Sequence, residues 1–479
     1  MSILVIDLGT SAVRAALVDH DATISDEIRV PMLPDSPAPG LVEFDATEYA
    51  AAATRCARDL LERHGPVEAV GVTNQRGSTI VWDRATGEPV APAQGWQDLR
   101  TVGDCLVLAA DGVRLAPNQS ATKIANILDQ HDPDRSRDLC FGTADSWMIW
   151  QLTDGAHHVS DLSNAGIWGL LHPDGTHYDV DVLTRLRIPA SMLPRIVDSS
   201  GVIGEATALP GAPVICGIAG DQQAALIGQA GVTPGAAKIT FGTGAMLDVC
   251  LGARPAYDGR GAAGTFPVPC WRRGAETVWG AEAIMLSAGT NIEWLVDDMG
   301  MLERPEDSQS LAASVADTGG VLYVPALLGL GTPRWDYGAR GALFGLTRGT
   351  SRAQVVRAVL EGVAERGADL VDAAVADTGV ALDVLRIDGG MSANELFVQH
   401  LADATQRPVE VSPVREATAL GAGFLAGLEI GVWSDWAQVA DTWRPARRYE
   451  PGTPTDRDRW CDAVDRAAGW HADLSALDF

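Results

Sequence analysis

Lysine is almost absent from the sequence, which contains only Lys123 and Lys238. The pattern G-x-x-x-x-G-K-[ST], whose lysine binds nucleotide phosphates, is missing as well, and this excludes a P-loop nucleotide-binding protein. Any phosphate group that the protein binds must therefore be held by arginine side chains, backbone N–H groups, hydroxyl groups or a metal ion.

Positive charge is scarce in general. The chain has 36 Lys and Arg residues against 63 Asp and Glu residues, a net charge of −27. A protein this acidic repels the phosphate backbone of nucleic acids and the surface of anionic membranes, so neither is expected as a partner. An anionic ligand such as ATP would need a local cationic pocket or a bound Mg²⁺.

Two further absences concern cysteine pairs and long apolar runs. The seven cysteines form no C-x-x-C and no zinc-like spacing with histidine, which predicts unpaired thiols in a reducing cytoplasm. No uncharged apolar stretch reaches the length of about 18 residues that spans a membrane. The first residues lack the basic region of a signal peptide. We therefore expect a cytoplasmic protein without membrane insertion.

The composition favours layered α/β domains. The chain has 479 residues, of which 46% are hydrophobic and 51 are glycine. At roughly 100–200 residues per domain this length predicts two or three domains. High glycine and low aromatic content favour α/β layers joined by tight turns over an all-β sandwich.

A hairpin pattern occurs twice, about 235 residues apart. In the first copy, residues 3–6 read as a strand, 7–11 as a turn and 12–18 as the returning strand. In the second, strands at 237–241 and 246–251 flank the turn 242–244. Each copy is followed by another predicted strand, at 67–73 and at 384–387, that ends in polar or glycine residues. The repetition predicts a duplicated architecture with one shared cleft.

The two turns contain groups that suit phosphate. Gly9 and Gly242 would let the backbone approach a phosphate, while the hydroxyls of Thr10, Ser11 and Thr243 could bind its oxygens. Ordinary hairpin turns also favour these residue types, so neither turn is specific alone. The first turn is flanked by Asp7, which could hold Mg²⁺, and Arg14, which could neutralise a phosphate.

Asp221 is a candidate general base. It lies between an apolar strand at 213–218 and a helical segment at 222–228, near the expected break between domains. A carboxylate at such a junction points into a cleft and could accept a proton from a substrate hydroxyl. The alternative is an Asp that only caps its own helix, which is a common role.

Several longer strings resemble the FGGY family of carbohydrate kinases, and within it the sequence is most similar to the glycerol kinases. These strings are GIAGDQQAAL at 217–226, ARGALFGLTRG at 339–349 and TALGAGFLAGL at 418–428, together with segments 7–14, 142–150, 242–244 and 388–394. The resemblance implies an α/β fold of the actin-like, hexokinase-type (ribonuclease H-like) ATPase class, with two duplicated lobes and an interlobe cleft. It implies a substrate-binding N-terminal lobe at 1–230, a nucleotide-binding C-terminal lobe at 231–440 and a C-terminal extension at 441–479.

The resemblance also implies roles for single residues. Asp221 matches the catalytic base, and Asp7 a residue near Mg²⁺. The positions that would bind ATP are Thr10, Ser11, Arg14, Gly242, Thr243, Gly289, Glu293, Gly390, Met391 and Asn394. The positions that would bind the polyol or sugar are Arg76, Gly77, Trp96, Asn118, Asp221, Gln222 and Met246. Family members are often dimers or tetramers, which implies a homodimer or homotetramer.

Four positions depart from the glycerol kinases. Those enzymes have Glu where this chain has Gly77, Tyr in place of Asn118, Phe in place of Met246 and Gln in place of Glu293. The phosphoryl-transfer residues are complete, while the pocket loses one carboxylate and two aromatic walls. This predicts a roomier pocket for a longer polyol or a ketose, and a return toward glycerol in the variant Gly77→Glu.

Three alternatives remain open at this point. A pentulose kinase resembling xylulokinase would usually show Met-His at positions 76–77, and this chain has Arg-Gly. A non-catalytic sensor on the same fold need not keep Asp7, Arg14 and Asp221. An actin-like chaperone or filament ATPase is disfavoured by the strings Asp221-Gln222-Gln223 and Trp96-Gln97-Asp98.

Overall fold

The computed structural model describes residues 2–257, 259–414 and 417–478. The strands in these ranges are β1 Ile3–Leu8, β2 Ala12–Val18, β3 Ile24–Pro31, β4 Glu43–Phe44, β5 Ala69–Asn74, β6 Ile80–Asp83, β7 Ala93–Gln94, β8 Leu139–Gly142, β9 Val159–Asp161, β10 Arg195–Val197, β11 Ser200–Glu205, β12 Val214–Gly220, β13 Ala237–Phe241, β14 Ala245–Gly252, β15 Phe266–Arg273, β16 Glu276–Met285, β17 Leu322–Val324, β18 Ala342–Phe344, β19 Leu385–Asp388, β20 Val409–Val411 and β21 Arg447–Tyr449.

The helices in the same ranges are α1 Ala46–His64, α2 Val102–Ala110, α3 Ser120–His131, α4 Ala144–Leu152, α5 Leu162–Ala165, α6 Val180–Arg185, α7 Asp221–Gly228, α8 Thr290–Asp297, α9 Asp307–Ala313, α10 Arg352–Thr378, α11 Glu395–Thr405, α12 Thr418–Glu429, α13 Trp436–Ala440, α14 Arg457–Ala467 and α15 Ala472–Ser475. Two short 3₁₀ helices lie at Ala190–Met192 and Gly390–Ala393.

The first sheet has the strand order β11-β12-β5-β1-β2-β3. The hairpin β1–β2 and strand β3 are antiparallel, whereas β5 runs parallel to β1 and β12 runs parallel to β5. Strands β1, β2 and β5 are buried along their whole length. Helices cover both faces, which explains why these strands are continuous apolar runs rather than alternating ones.

The second sheet, ordered β15-β16-β14-β13-β19-β20-β21, repeats the first. Its hairpin β13–β14 is antiparallel, and β19 runs parallel to β13 just as β5 runs parallel to β1. The duplicated architecture predicted from the two hairpins is therefore confirmed. In each sheet the hairpin turn and the end of the parallel strand lie at the same edge.

Helix α12 joins the two halves of the chain. It follows the strands of the second sheet in sequence, but it packs on β12, β5 and β1 of the first sheet and on α7. The contact with α7 is backbone against backbone, since a Cβ added at Gly228 would lie 1.9 Å from the Ala417 carbonyl oxygen and one at Gly421 would lie 1.8 Å from that of Ala224. This close packing fixes α7, and with it the first helical residue Asp221.

Three local predictions from the sequence, a capping box, a turn and a helix, can be compared with the structure. The capping box at the start of α10 is present, with Ser351 Oγ accepting from Gln354 N and the Gln354 side chain accepting from Ser351 N. The predicted turn 7–11 is wrong at its start, because Asp7 and Leu8 belong to β1 and pair with residues of β2. The helix predicted at 416–428 is α12, and Glu416 lies outside the described residues.

Two absences predicted from composition can be examined in residues 2–257, 259–414 and 417–478. Across this span, the helices are either too short or too polar to traverse a bilayer. The seven cysteines are unpaired, and only Cys461 is exposed.

Candidate active site

The first hairpin tip, Gly9 to Ser11, is held from three sides. Gly9 N donates to Ala12 O at 3.0 Å, which closes the turn. The Tyr49 hydroxyl on α1 donates to Gly9 O at 2.7 Å. Trp96 Nε1 donates to Thr10 Oγ1 at 3.1 Å, which brings a predicted substrate position and a predicted phosphate position into contact.

Asp7 and Arg14 are cross-strand partners below this tip. The Asp7 carboxylate is buried, lies 4.0 Å from Arg14 Nε and accepts a hydrogen bond of 3.2 Å from Thr418 Oγ1. Burial raises the pKa of Asp7 to about 6 against the lowering effect of Arg14, and the nearby charge of Asp221 contributes to this rise. A buried carboxylate with a second carboxylate nearby is a position where a cation would be favourable.

Asp221 is the first residue of α7, directly after β12. Its Oδ1 accepts from Gln222 N at 2.8 Å and lies 3.4 Å from Arg76 Nε, and 29% of its side chain is exposed. Burial raises the pKa of Asp221, with the Arg76 guanidinium as the main opposing influence. The N-cap residue of α7 is Gly220, so helix capping does not account for Asp221. An accessible carboxylate with increased proton affinity suits a general base.

Arg76 lies between Asp221 and a carboxylate that sequence reasoning did not select, Glu282 on β16. Its Nη2 donates to Glu282 Oε2 at 2.5 Å and lies 3.9 Å from Met246 Sδ. Its Nη1 is buried without a protein partner within the described ranges. Burial raises the pKa of Glu282 above its ordinary value, and the charge of Arg76, with which it pairs, is the main opposing influence. Since buried donors normally have a hydrogen-bond partner, Nη1 is a candidate donor to a ligand.

Gly77 has a conformation that only glycine adopts easily. Its φ is +73°, and a Cβ there would lie 2.6 Å from the Asn118 carbonyl oxygen and 3.5 Å from Trp96 Cβ. The Asn118 side chain is exposed, while its backbone closes against Gly77. The backbone conformation of this loop therefore favours glycine at position 77 and disfavours any residue with a carboxylate side chain there.

Lys238 on β13 contacts Gln222, which is one of the predicted polyol positions. Its Nζ donates to Gln222 Oε1 at 2.7 Å and to Thr240 Oγ1 at 3.0 Å. The same atom lies 2.8 Å from Asp248 Oδ2, and both side chains are buried. A lysine this deeply buried is stable because its charge is paired and hydrogen-bonded.

The second hairpin tip, Gly242 to Gly244, rests on the start of α8. Gly289 N donates to Gly242 O and Ala288 N donates to Thr243 O, each at 2.8 Å. A Cβ at Gly289 would lie 2.6 Å from Gly242 O, so the tip requires glycine there. Thr243 is exposed to solvent, as is Glu293 one turn into α8.

The segment after β19 provides an open surface close to this tip. Gly389 has a φ of +87° and packs on Phe241, whereas a Cβ at Gly390 would meet no atom of the described residues within 4 Å. Met391 is buried, and Asn394 caps α11 by accepting from Phe397 N at 3.1 Å. The capping bond gives Asn394 a structural role in addition to its predicted contact with nucleotide.

Comparison with known proteins agrees with this architecture. The model of the FGGY family of carbohydrate kinases, N-terminal domain, matches residues 2–228, and that of the C-terminal domain matches residues 237–430. A glycerol kinase of Aromatoleum aromaticum is 43% identical over 495 residues, covering 98% of this chain and 99% of the relative. One of Rhodopirellula baltica is 40% identical over 502 residues, covering 100% and 93%.

The chain belongs to the FGGY family of carbohydrate kinases.

Solved structures agree with this assignment. Plasmodium falciparum glycerol kinase with ADP superposes with a TM-score of 0.90 at 28% identity, covering 100% of this chain and 99% of that one. A Lactobacillus acidophilus xylulose kinase, with a TM-score of 0.86 at 19% identity and coverage of 99% and 98%, shares the fold. The predicted family and actin-like two-lobed fold are thus confirmed, and this FGGY kinase is an ATP-dependent phosphotransferase with an alcohol group as acceptor.

In this FGGY kinase, the contacts bring many of the predicted site residues together. Thr10 meets Trp96, Arg76 meets both Asp221 and Met246, and the loops of Gly77 and Asn118 touch. Gly289 lies against Gly242 at the second tip. Sequence reasoning missed Glu282, Asp248 and the role of Lys238. Asp248 lies in the predicted strand 246–251, which gave no signal of its role, and no strand was predicted around Glu282, whereas the rarity of lysine could have drawn attention to Lys238.

Proposed function

We propose that this FGGY kinase transfers the γ-phosphoryl group of ATP to a primary hydroxyl of a small polyol or sugar, with Asp221 as general base. The observation that carries the proposal is the position of Arg76. Its Nε lies 3.4 Å from the accessible carboxylate of Asp221, and its buried Nη1 has no hydrogen-bond partner among the described residues. The relatives named glycerol kinase support a polyol as the acceptor.

The chemistry needs one proton acceptor and several phosphate ligands. The acceptor hydroxyl loses its proton to the Asp221 carboxylate while its oxygen bonds to the γ-phosphorus, and the bond from that phosphorus to the bridging oxygen of ADP breaks. Thr10, Ser11 and Arg14 on one side and Gly242 and Thr243 on the other are proposed to hold the phosphates.

The adenosine end of ATP is proposed to lie beyond the second tip. The open surface at Gly390 and the adjoining Met391 suit a flat base. Gly289 contacts the second tip, Glu293 follows it on α8, and Asn394 caps α11 directly after the 3₁₀ helix that begins at Gly390. Binding of ATP from both lobes is expected to draw the lobes together over the substrate.

Mg²⁺ is proposed to be held by Asp7. A buried carboxylate whose pKa is raised by burial and by the charge of Asp221 fits a divalent cation, which would compensate both charges. When bound, the ion supplies neutralisation of phosphate charge. Asp7 itself is kept in place by β1 pairing and by Thr418.

The pocket is proposed to prefer acceptors longer than glycerol. Gly77 offers no carboxylate, and Asn118 and Met246 leave more space than the aromatic residues of glycerol kinases. A hydrogen bond to a charged group is typically worth about 1.5–3 kcal/mol, so its absence costs glycerol roughly 10- to 150-fold in kcat/KM. A pentulose kinase is the second candidate, favoured by the same open pocket.

The test is a substrate panel of glycerol, erythritol, ribitol, xylitol, xylulose and ribulose with ATP. We expect a longer polyol or a ketose to give the highest kcat/KM. If glycerol exceeds all others by about tenfold or more, the proposed preference is wrong. If the protein binds a compound of the panel but transfers no phosphoryl group to any, the sensor alternative replaces the kinase.

The variant that should narrow the pocket is Met246→Phe rather than Gly77→Glu. A side chain at Gly77 would collide with the Asn118 carbonyl oxygen and strain a φ of +73°, so Gly77→Glu should destabilise the loop instead of restoring a glycerol contact. Met246 is partly exposed beside Arg76, and a larger ring there should shift preference toward glycerol. Met299→Phe, at an exposed position elsewhere, is the matched control.

We also propose a cytoplasmic location and a homodimer or homotetramer. The unpaired thiols support a reducing compartment, and the oligomer rests on family analogy alone. Sedimentation of the purified enzyme tests the oligomer.

A further inference from the structure

A row of charged side chains crosses the second sheet and faces the first. Lys238 of β13 is the register partner of Asp248 of β14, and Asp248 is in turn the partner of Glu282 of β16. Residues directly opposite on neighbouring strands project on the same face. The three side chains are all buried. Buried charged groups are stable only when they form hydrogen bonds or ion pairs.

The lysine end of the row finds its partner in Gln222. Lys238 Nζ donates to Gln222 Oε1 at 2.7 Å across the boundary between the second sheet and α7. This contact fixes the orientation of the amide with its oxygen toward the lysine, so the Nε2 donor lies on the side away from Lys238. The lysine thereby selects an acceptor, such as a hydroxyl or carbonyl oxygen, at this point of the pocket.

The glutamate end of the row holds Arg76. Arg76 Nη2 donates to Glu282 Oε2 at 2.5 Å, while Arg76 Nε stays 3.4 Å from Asp221. If Glu282 were uncharged, Asp221 would be the nearest anion, and the guanidinium would pair with it more closely. A closer positive charge lowers the proton affinity of a carboxylate, which would weaken Asp221 as a base.

We propose that Lys238, Asp248 and Glu282 are positioning residues through which the second sheet orients the two polyol ligands of the first. The proposal rests on the proposed function, because it assigns to Arg76 and Gln222 the binding of the acceptor. Its consequence is that the acceptor pocket is complete only in an arrangement of the two sheets that keeps both contacts. Residues of the nucleotide-side sheet thereby set the affinity for the acceptor without touching it.

The decisive variant is Glu282→Gln, which keeps the shape of the side chain and removes its charge. We expect the KM for the best acceptor of the panel to rise about 10-fold, as for a weakened bond to a charged group, with the KM for ATP within about twofold of the wild type. Glu282→Asp keeps the charge on a shorter side chain, so its KM for the acceptor should lie between those of the wild type and Glu282→Gln. Glu276→Gln is the matched control, since Glu276 is exposed on the same strand.

The other end of the row is tested with the double variant Lys238→Met/Asp248→Asn, which removes both charges together and leaves neither one unpaired. It should raise the acceptor KM by a similar factor and leave the ATP KM unchanged. The positioning role is wrong if Glu282→Gln or the double variant folds and keeps the wild-type KM for the acceptor. It is also wrong if either variant raises the KM for the acceptor and the KM for ATP by the same factor. A wild-type enzyme that phosphorylates no compound of the panel would instead refute the proposed function.

Discussion

The two hairpin tips, which are proposed to bind phosphate, and the proposed acceptor pocket are built differently. Each tip is a short turn whose shape is fixed by backbone hydrogen bonds, such as Gly9 N to Ala12 O and Gly289 N to Gly242 O. The pocket depends on charged side chains that reach from one sheet to the other, as Glu282 reaches Arg76. Changes near the tips should therefore affect all acceptors alike, whereas changes in the pocket should distinguish between acceptors.

The largest effect is expected where the two regions meet, at Asp221. Asp221→Asn removes the proton acceptor and should lower turnover by roughly 10²–10⁴-fold, the usual contribution of a positioned base, with little change in ATP affinity. Steady-state kinetics with the best acceptor measures this. Asp59→Asn, on the exposed side of α1, is the control. If Asp221→Asn retains turnover close to that of the wild type, Asp221 is not the general base.

A substitution of Arg14 tests whether a change near the first hairpin tip affects all acceptors alike. Arg14→Ala should reduce kcat by about 10²–10³-fold, as for loss of one group that stabilises transition-state charge, and by the same factor for every acceptor. Steady-state kinetics on the whole acceptor panel gives the ratio of wild-type kcat to Arg14→Ala kcat for each compound. Arg55→Ala, at an exposed position of α1, is the matched control. A loss confined to one acceptor would move Arg14 from the phosphate site into the pocket.

The same contrast explains what the sequence could predict. The hairpins, the strand–Asp221–helix junction and the capping box of Ser351 are contiguous patterns, and local backbone preferences determine them. The contact between Arg76 and Glu282 joins residues 206 positions apart, and it depends on the register of β14 with β16. The collision that makes Gly77 obligatory likewise involves the distant Asn118. Such contacts depend on the tertiary fold and leave no local pattern.

The two lysines of the chain allow a second comparison of this kind, because both side chains are fully buried. Lys238 pairs with Asp248 at 2.8 Å. Lys123 on α3 instead donates a long hydrogen bond of 3.4 Å to Trp96 O, and burial lowers its pKa to about 7 against the opposing charge of Asp98. One ammonium group is thus compensated by an ion pair, and the other is costly to keep charged.

Substitution by methionine should therefore have opposite effects at the two positions. Lys238→Met leaves Asp248 buried without its partner and should lower the free energy of unfolding by about 3–5 kcal/mol. Lys123→Met removes an ammonium group whose pKa falls from 10.5 to about 7 on folding. At about 1.4 kcal/mol per pKa unit, and after loss of the bond to Trp96, it should raise the free energy of unfolding near pH 7 by roughly 2–4 kcal/mol.

The pH dependence gives the sharper test of the Lys123 prediction. Between pH 7 and 10.5 the unfolded chain holds a proton at Lys123 that the folded protein has released, so wild-type stability gains with rising pH across this window. Below about pH 7 both states are protonated and the contribution is constant. Lys123→Met lacks this slope, so its advantage over the wild type should shrink from pH 7 to pH 10. Urea unfolding of both proteins at pH 7, 8, 9 and 10 measures the difference, and a constant difference across the series would show that Lys123 keeps its proton in the fold.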